Sequence, residues 1–157
     1  MGYPKQKHPY IMQMVYTIKY WMNWKDERMK EKDFENKVKD FLKQEGCWYV
    51  KYWSGQSLNG KKFTKDGIPD ILACVGGWFV GIELKAEKGR PSDLQIVNLK
   101  KIHDADGFGI LLYPEDFDTF KELVEAVKGN HIERTLDIYE ELKERWWKKW
   151  EQVHKSL

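Results

Sequence analysis

The sequence predicts an α/β fold in which a mixed β-sheet carries helices on its faces, and three observations predict it. Two apolar, β-branched and aromatic runs, Ile71–Val75 and Trp78–Leu84, are separated only by Gly76 and Gly77, the signature of a two-residue hairpin. Upstream, Phe34, Val38, Phe41 and Leu42 recur at helical spacing and stop at Gly46, the residue type that most often ends a helix. Downstream, the hairpin leads into a helix and then into FGILLY after Gly107, and a strand, a crossover helix and a further strand favour a mixed sheet.

The elements follow in order. Residues 1–24 form an aromatic, Met-rich extension; over 10–24 (YIMQMVYTIKYWMNW) it fits a strand or an amphipathic helix, and Ile11, Val15, Ile18 and Met22 tip the expectation to helix. Residues 25–129 make the core unit. It opens with a charged amphipathic helix over 25–45, continues as a strand over 47–53 (CWYVKYW), and crosses a polar loop over 54–65 to the turn at Asp66 and Gly67. After the hairpin, Ser92 and Gln95 have the spacing of a capping box at a helix start. FGILLY reads as a buried strand, and residues 114–128 as a helix stopped by Gly129. The order is α-β-β-β-α-β-α.

Residues 130–157 read as a long amphipathic helix, because Ile132, Leu136, Tyr139, Leu142, Trp146, Trp150 and Val153 keep a three-four spacing. With Trp147 beside them, these tryptophans carry too much apolar area to face water. The expectation is that they pack on the N-terminal segment or on a second subunit, with a dimer contact favoured. Lys148, Lys149 and Lys155 of this helix are also placed to touch a nucleic acid.

A length of 157 residues fits one domain with a single core, the ends being decorations. Net charge is only +2, so a polyanionic partner must be met by local clustering of basic residues. Cys47 and Cys74 lie in apolar runs without C-x-x-C spacing, which argues against a zinc site or a disulfide framework and fits a reducing cytoplasm. No secretory-type leader pattern opens the chain and no window approaches about 18 uncharged apolar residues. The expectation is a soluble, unexported protein with no membrane partner. The histidines at 8, 103, 131 and 154 have no metal-ligand spacing and receive no role.

The chemistry concentrates in residues 66–95. If Gly76 and Gly77 are the turn, paired positions across the hairpin sum to one value, and Asp70 stands opposite Glu83. Like charges so placed destabilise a sheet; at about 5 Å and an effective dielectric near 20 they repel by roughly 3 kcal/mol. A divalent cation would turn that cost into a binding site. Alternation puts Phe79, Gly81, Glu83 and Lys85 on one face and Trp78, Val80, Ile82 and Leu84 on the other, so Lys85 is expected beside both carboxylates. A charged strand face is ordinarily a solvated one, but three ionisable groups meeting on one register are a poor way to build a core.

These residues carry a resemblance. G-I-P-D at Gly67 to Asp70, E-L-K at Glu83 to Lys85, and Gln95 after Pro91 and Ser92 resemble the PD-(D/E)xK nuclease superfamily, most closely its virus-type replication-repair nuclease (VRR-NUC) family. The likeness spans roughly residues 31–127, about three-fifths of the chain. It implies a restriction-endonuclease-like core and a catalytic set of Glu35, Asp70, Glu83, Lys85 and Gln95. Glu35 stands eleven residues before Gly46, where the superfamily has a first-helix glutamate, with Glu31 in reserve. Gln95 has its capping role as a rival. The metal ligands would be Asp70, Glu83, the backbone carbonyl of Leu84, and Glu35, holding Mg²⁺ with Mn²⁺ as a substitute.

Around them Lys61, Lys62, Lys65, Lys88, Arg90, Lys100 and Lys101 form a basic neighbourhood suited to flanking phosphates. The expected activity is that of a Mg²⁺-dependent DNA endonuclease hydrolysing phosphodiester bonds, and the resemblance implies 5′-phosphate products. By likeness to stand-alone phage-type members, it would be a homodimer acting on branched, Holliday-junction-like substrates in replication, recombination or repair, in the cytoplasm of a bacterial or phage-infected cell. The alternative is a non-catalytic DNA-binding or assembly module on the same fold. A third class, an interaction protein organised by the Trp-rich helix, leaves the hairpin unexplained.

Overall fold

The structure, a computed structural model, describes residues 30–53, 57–58, 61–62 and 65–154, with side chains not described over 57–58, 61–62, at 149 and over 152–154. The N-terminal segment over 10–24, Lys155, and the side chains of Lys61, Lys62 and Lys149 therefore lie outside the described residues.

Helix α1 (Glu31–Gln44) buries Phe34, Val38 and Leu42, the stripe that the helical spacing marks. It ends in a Schellman arrangement: Gly46 has φ +68°, its N–H bonds the Lys43 carbonyl, and the Cys47 N–H bonds the Leu42 carbonyl at 2.9 Å. Strand β1 (Trp48–Lys51) follows. Within the polar loop lies a short ladder of β2 (Ser57–Leu58) and β3 (Lys61–Lys62). Strands β4 (Ile71–Val75) and β5 (Trp78–Leu84) form the hairpin, with Gly76 at φ +55° and Gly77 at φ +89°. Two successive positive φ angles are what a type I′ turn requires, and its twist matches that of the strands it joins.

Helix α2 (Asp93–Asp104) crosses to β6 (Phe108–Leu112), which runs parallel to β5. A 3₁₀ turn (Pro114–Asp116) leads into α3 (Phe117–Lys128), and α4 (Ile132–His154) closes the described chain. The main sheet has the order β1-β4-β5-β6, antiparallel except for its last pair. The result is an α/β molecule with a four-stranded mixed sheet and four helices among the described residues.

Alternation sorts the sheet into two faces. Ile71, Ala73 and Val75, then Val80, Ile82 and Leu84, then Phe108, Ile110 and Leu112 pack with α1 and α3 into the main core. The opposite face receives α2, whose Ile96 and Leu99 cluster with Leu111 of β6 and whose backbone comes directly onto Gly109. A Cβ added at Gly109 would lie 2.1 Å from the backbone oxygen of Leu99, so helix and strand meet here backbone to backbone. On the β1 side of this face Trp48, Cys74 and Phe79 form one exposed row across three strands.

The C-terminal helix departs from expectation. It is part of the core and not an appendage: Ile138, Tyr139 and Leu142 join the main cluster, and Trp146, 4% exposed, packs with Ile96, Leu99, Leu111 and Tyr113. Trp147 and Trp150 pack against that same cluster. The tryptophans thus find apolar surface on α2 and β6 of their own chain. Tyr139 adds a polar function. Among the described residues strand β6 ends the sheet, and the Tyr139 hydroxyl accepts from the Gly109 N–H at 3.2 Å and donates to the Gly109 carbonyl at 3.3 Å, covering that edge.

A Gly109→Ala chain has no room for its methyl group unless α2 moves off the sheet. We expect a loss of about 2–3 kcal/mol in the unfolding free energy measured by urea denaturation; a loss below about 0.5 kcal/mol would show that the contact yields without strain.

Candidate active site

The hairpin register is the one the glycine turn dictates. Val75 pairs with Trp78 and Ile71 with Ile82, so the next step places Asp70 across from Glu83. Asp70 lies in a bend just before β4, at the rim of the sheet. Its neighbour Pro69 has no N–H to offer a ladder. Instead the Asp70 side chain closes the ladder: Oδ2 accepts from the Leu84 N–H at 3.0 Å, while the Asp70 carbonyl accepts from the Tyr52 N–H at 2.8 Å. The turn before it is tied to α2, whose Asn98 donates to the Gly67 carbonyl at 2.9 Å.

Glu83 is 1% exposed. One oxygen, Oε1, accepts from the Lys85 ammonium at 2.5 Å and from the Gln95 side-chain amide. The other, Oε2, is buried without a hydrogen-bond partner among the described residues. Burial, and then the charge of Asp70, push the Glu83 carboxyl up to about 7 against the opposing pull of Lys85; Glu31 adds a smaller upward push. Lys85 also donates to the Leu84 carbonyl at 3.1 Å, so the backbone oxygen expected to face a metal is covered by an ammonium.

Gln95 holds two positions at once. Its Oε1 accepts from the Ser92 N–H at 2.8 Å, completing the capping box of α2, and its amide nitrogen donates to Glu83. The helix cap thus fixes the rotamer that reaches the carboxylate.

The two carboxylates of α1 separate. Glu31 reaches the Ala86 N–H, at 3.4 Å, in the loop after Lys85. Glu35 turns the other way: its Oε1 pairs with Lys39 and its Oε2 with Lys51, both at 2.8 Å. Burial would raise the Glu35 carboxyl, but hydrogen bonds from these two lysines hold it below the ordinary value. Lys51 then reaches on to Asp70 Oδ1 at 3.2 Å. Burial alone would lower the Lys51 pKa, yet Glu35 and Asp70 together keep it above the ordinary lysine value.

This arrangement corrects the expectation for Lys85. The structure pairs Lys85 with Glu83, and the lysine on Asp70 is Lys51 of β1. Two residues are therefore added to those read from the sequence, Lys51 and Asn98. A signal existed for Lys51, as the one charged residue in CWYVKYW, but β1 had first to be placed beside β4.

The basic residues divide. Lys65 is exposed where the chain enters the Asp70 turn, its backbone pinned on both sides by the Tyr52 hydroxyl at 2.9 and 3.2 Å. Lys88 and Arg90 are exposed in the loop that follows Lys85, which Tyr113 ties down by donating to the Gly89 carbonyl at 3.1 Å. Lys100 and Lys101 sit farther along α2, roughly two turns from its N-terminus. They line separate grooves, Lys100 with Trp146 and Trp147, Lys101 with Pro69 and Phe79.

Among the described residues no three His, Cys, Asp or Glu side chains form a ready cage for a metal. What does fit a hard cation is the unpaired, buried Glu83 Oε2 and an all-oxygen donor set of Asp70, Glu83 and the Leu84 carbonyl. No protein-family model, no curated protein and no solved structure matches the chain.

Because the folded carboxyl of Glu83 holds its proton up to about 7 against an ordinary value of 4.5, the fold binds that proton more tightly than the unfolded chain. The associated stability is full below pH about 4.5, declines as the pH rises toward about 7, and is then level. In metal-free buffer, the unfolding free energy of wild type minus that of Glu83→Gln should fall by about 2–3 kcal/mol from pH 5 to pH 8. A difference independent of pH would mean that Glu83 is solvated.

Proposed function

We propose that the chain is a divalent-cation-dependent nuclease that hydrolyses phosphodiester bonds in DNA. The observation that carries this reading is the Glu83 carboxylate, withdrawn from water with one oxygen unpaired, across the hairpin from Asp70 and in contact with the Lys85 ammonium. Perturbed ionisable groups meeting at the end of a sheet are characteristic of catalytic sites. A core or a passive binding face gains nothing from paired carboxylates.

Asp70, Glu83 and the Leu84 carbonyl would hold the ion, Mg²⁺ or Mn²⁺ by the hardness of the donors, with Glu35 beyond Lys51. When bound, the ion supplies positive charge at the scissile phosphate and acidifies a water molecule. The remaining work falls to the chain. Gln95 holds Glu83 Oε1, so the carboxylate keeps one orientation while Oε2 stays open. The Lys85 ammonium, released from the Leu84 carbonyl, is placed to stabilise negative charge developing on a phosphate. Lys65, Lys88 and Arg90 offer cations to neighbouring phosphates, which position a strand without reading its sequence. The likeness to VRR-NUC proteins extends this proposal to branched DNA and to a homodimer.

A second reading, a DNA-binding module that does not cut, is favoured by one observation: Asp70 and Glu83 are already paired with lysines. One experiment separates the two. The protein is incubated with linear, flapped and four-way-junction DNA in Mg²⁺, Mn²⁺ or EDTA. Metal-dependent cleavage is expected, strongest on the junction, and Asp70→Ala and Lys85→Met should each reduce its rate by at least about 10²-fold. Tight binding with no cleavage of any substrate in either metal would establish the binding module.

A further inference from the structure

We infer that the Lys51 ammonium is a tethered cation filling one cation position of this site, so that removing its charge opens a place for one additional divalent ion per chain. The inference rests on the proposed metal-dependent reading and goes beyond it, by assigning a role to a residue outside the expected catalytic set.

Its basis is which carboxylate oxygens are used. Lys51 Nζ lies 2.8 Å from Glu35 Oε2 and 3.2 Å from Asp70 Oδ1, joining a carboxylate of α1 to one at the rim of the sheet. The remaining oxygen of Glu35 is held by Lys39 and that of Asp70 by the Leu84 N–H. All four oxygens of this pair therefore have donors. Glu83 Oε2, buried beside them, has none. The site is thus divided into a part already neutralised by the protein and a part left open.

Chemistry makes the filled part a cation position and not merely an ion pair. Two carboxylate oxygens from different elements converge on one positive centre, a pair of donors that a divalent ion would also take at the shorter distance of about 2.0–2.1 Å. Two-metal sites hold their ions about 3.5–4 Å apart. A lysine supplies one charge and no Lewis acidity. Its fixed stem also keeps Glu35 and Asp70 from repelling each other before any ion arrives. Holding β1 in the sheet does not require this placement, because β1 already pairs with β4 through its backbone. Lys51 is accordingly a positioning residue for Asp70, and it sets how many ions the site takes.

The test is a Mn²⁺ titration of the full chain, with free Mn²⁺ followed by electron paramagnetic resonance, on wild type, Lys51→Met, Lys51→Gln and Lys51→Arg. Circular dichroism verifies that each is folded. We expect Lys51→Met and Lys51→Gln to bind one ion more per chain than wild type, and Lys51→Arg, which keeps the charge, to bind the same number as wild type. Adding Glu35→Gln to Lys51→Met should remove the extra ion, because Glu35 faces Lys51 and lies outside the donor set of Asp70, Glu83 and the Leu84 carbonyl.

Equal counts for wild type and the neutral variants overturn the inference, as does binding of two ions by wild type. If wild type binds one ion and the neutral variants also bind one, only the Lys51 assignment fails. If none of the proteins binds Mn²⁺, the metal-dependent reading fails with it.

Discussion

The Glu83 carboxylate has given up nearly all its contact with water, and the site is built around that loss. Desolvating an isolated carboxylate costs several kcal/mol even after the protein relaxes, and the neighbouring charge of Asp70 adds to the cost. Lys85 and Gln95 offset part of it at one oxygen; nothing among the described residues offsets it at the other. The burden can persist because the hairpin leaves Glu83 no alternative. Its register is fixed by two glycines, and a slip of one residue would send Glu83 to the main core and Ile82 out of it. The apolar burial of β4 and β5 therefore holds a strained electrostatic arrangement in place.

Helix α2 turns that arrangement into a defined geometry. It contacts both halves of the site, Gln95 reaching Glu83 and Asn98 holding the turn that delivers Asp70. The helix itself is positioned by its backbone contact at Gly109, where no flexible side chain intervenes. A shift of the helix would be transmitted to both carboxylates together. Sites supported by rigid elements hold reactive groups more closely than sites borne on loops. Here the loop that follows Lys85 is itself tied to the framework by Tyr113.

What could be read from the sequence is what local chemistry dictates. The hairpin and its register follow from the Gly76–Gly77 turn with alternation on either side, and the capping box of α2 follows from Ser92 and Gln95. Helix α1 follows from its stripe and from Gly46. Long-range contacts were hidden. That Glu35 and Asp70 share Lys51 depends on how α1 lies over β1 and on which strand β1 joins, and neither is encoded in any short window. The docking of Trp146 was missed for a related reason: apolar area shows that a side chain must be covered, but not by what. Tyr139 read simply as a helical core position, whereas its hydroxyl finds the edge of β6 only after that strand has become the end of the sheet.

The charge balance explains how such a site can fold before it binds anything. Glu31, Glu35, Asp70 and Glu83 bring four carboxyl groups to one end of the sheet, and Lys39, Lys51 and Lys85 bring three ammonium groups. With Glu83 pushed up to about 7, the local excess of negative charge near neutral pH is less than one full unit. Small metallo-domains whose ligands are left unneutralised fold only with their ion, because binding and folding are then one equilibrium. Here Lys39, Lys51 and Lys85 neutralise the carboxylates within the fold itself. On the proposed metal-dependent reading, an arriving cation would compete with ammonium groups for oxygens already in use, which would weaken its binding but leave the carboxylates in position. On the same proposal, Lys85 displaced from Glu83 would remain tethered two residues away, within reach of a phosphate drawn to the ion.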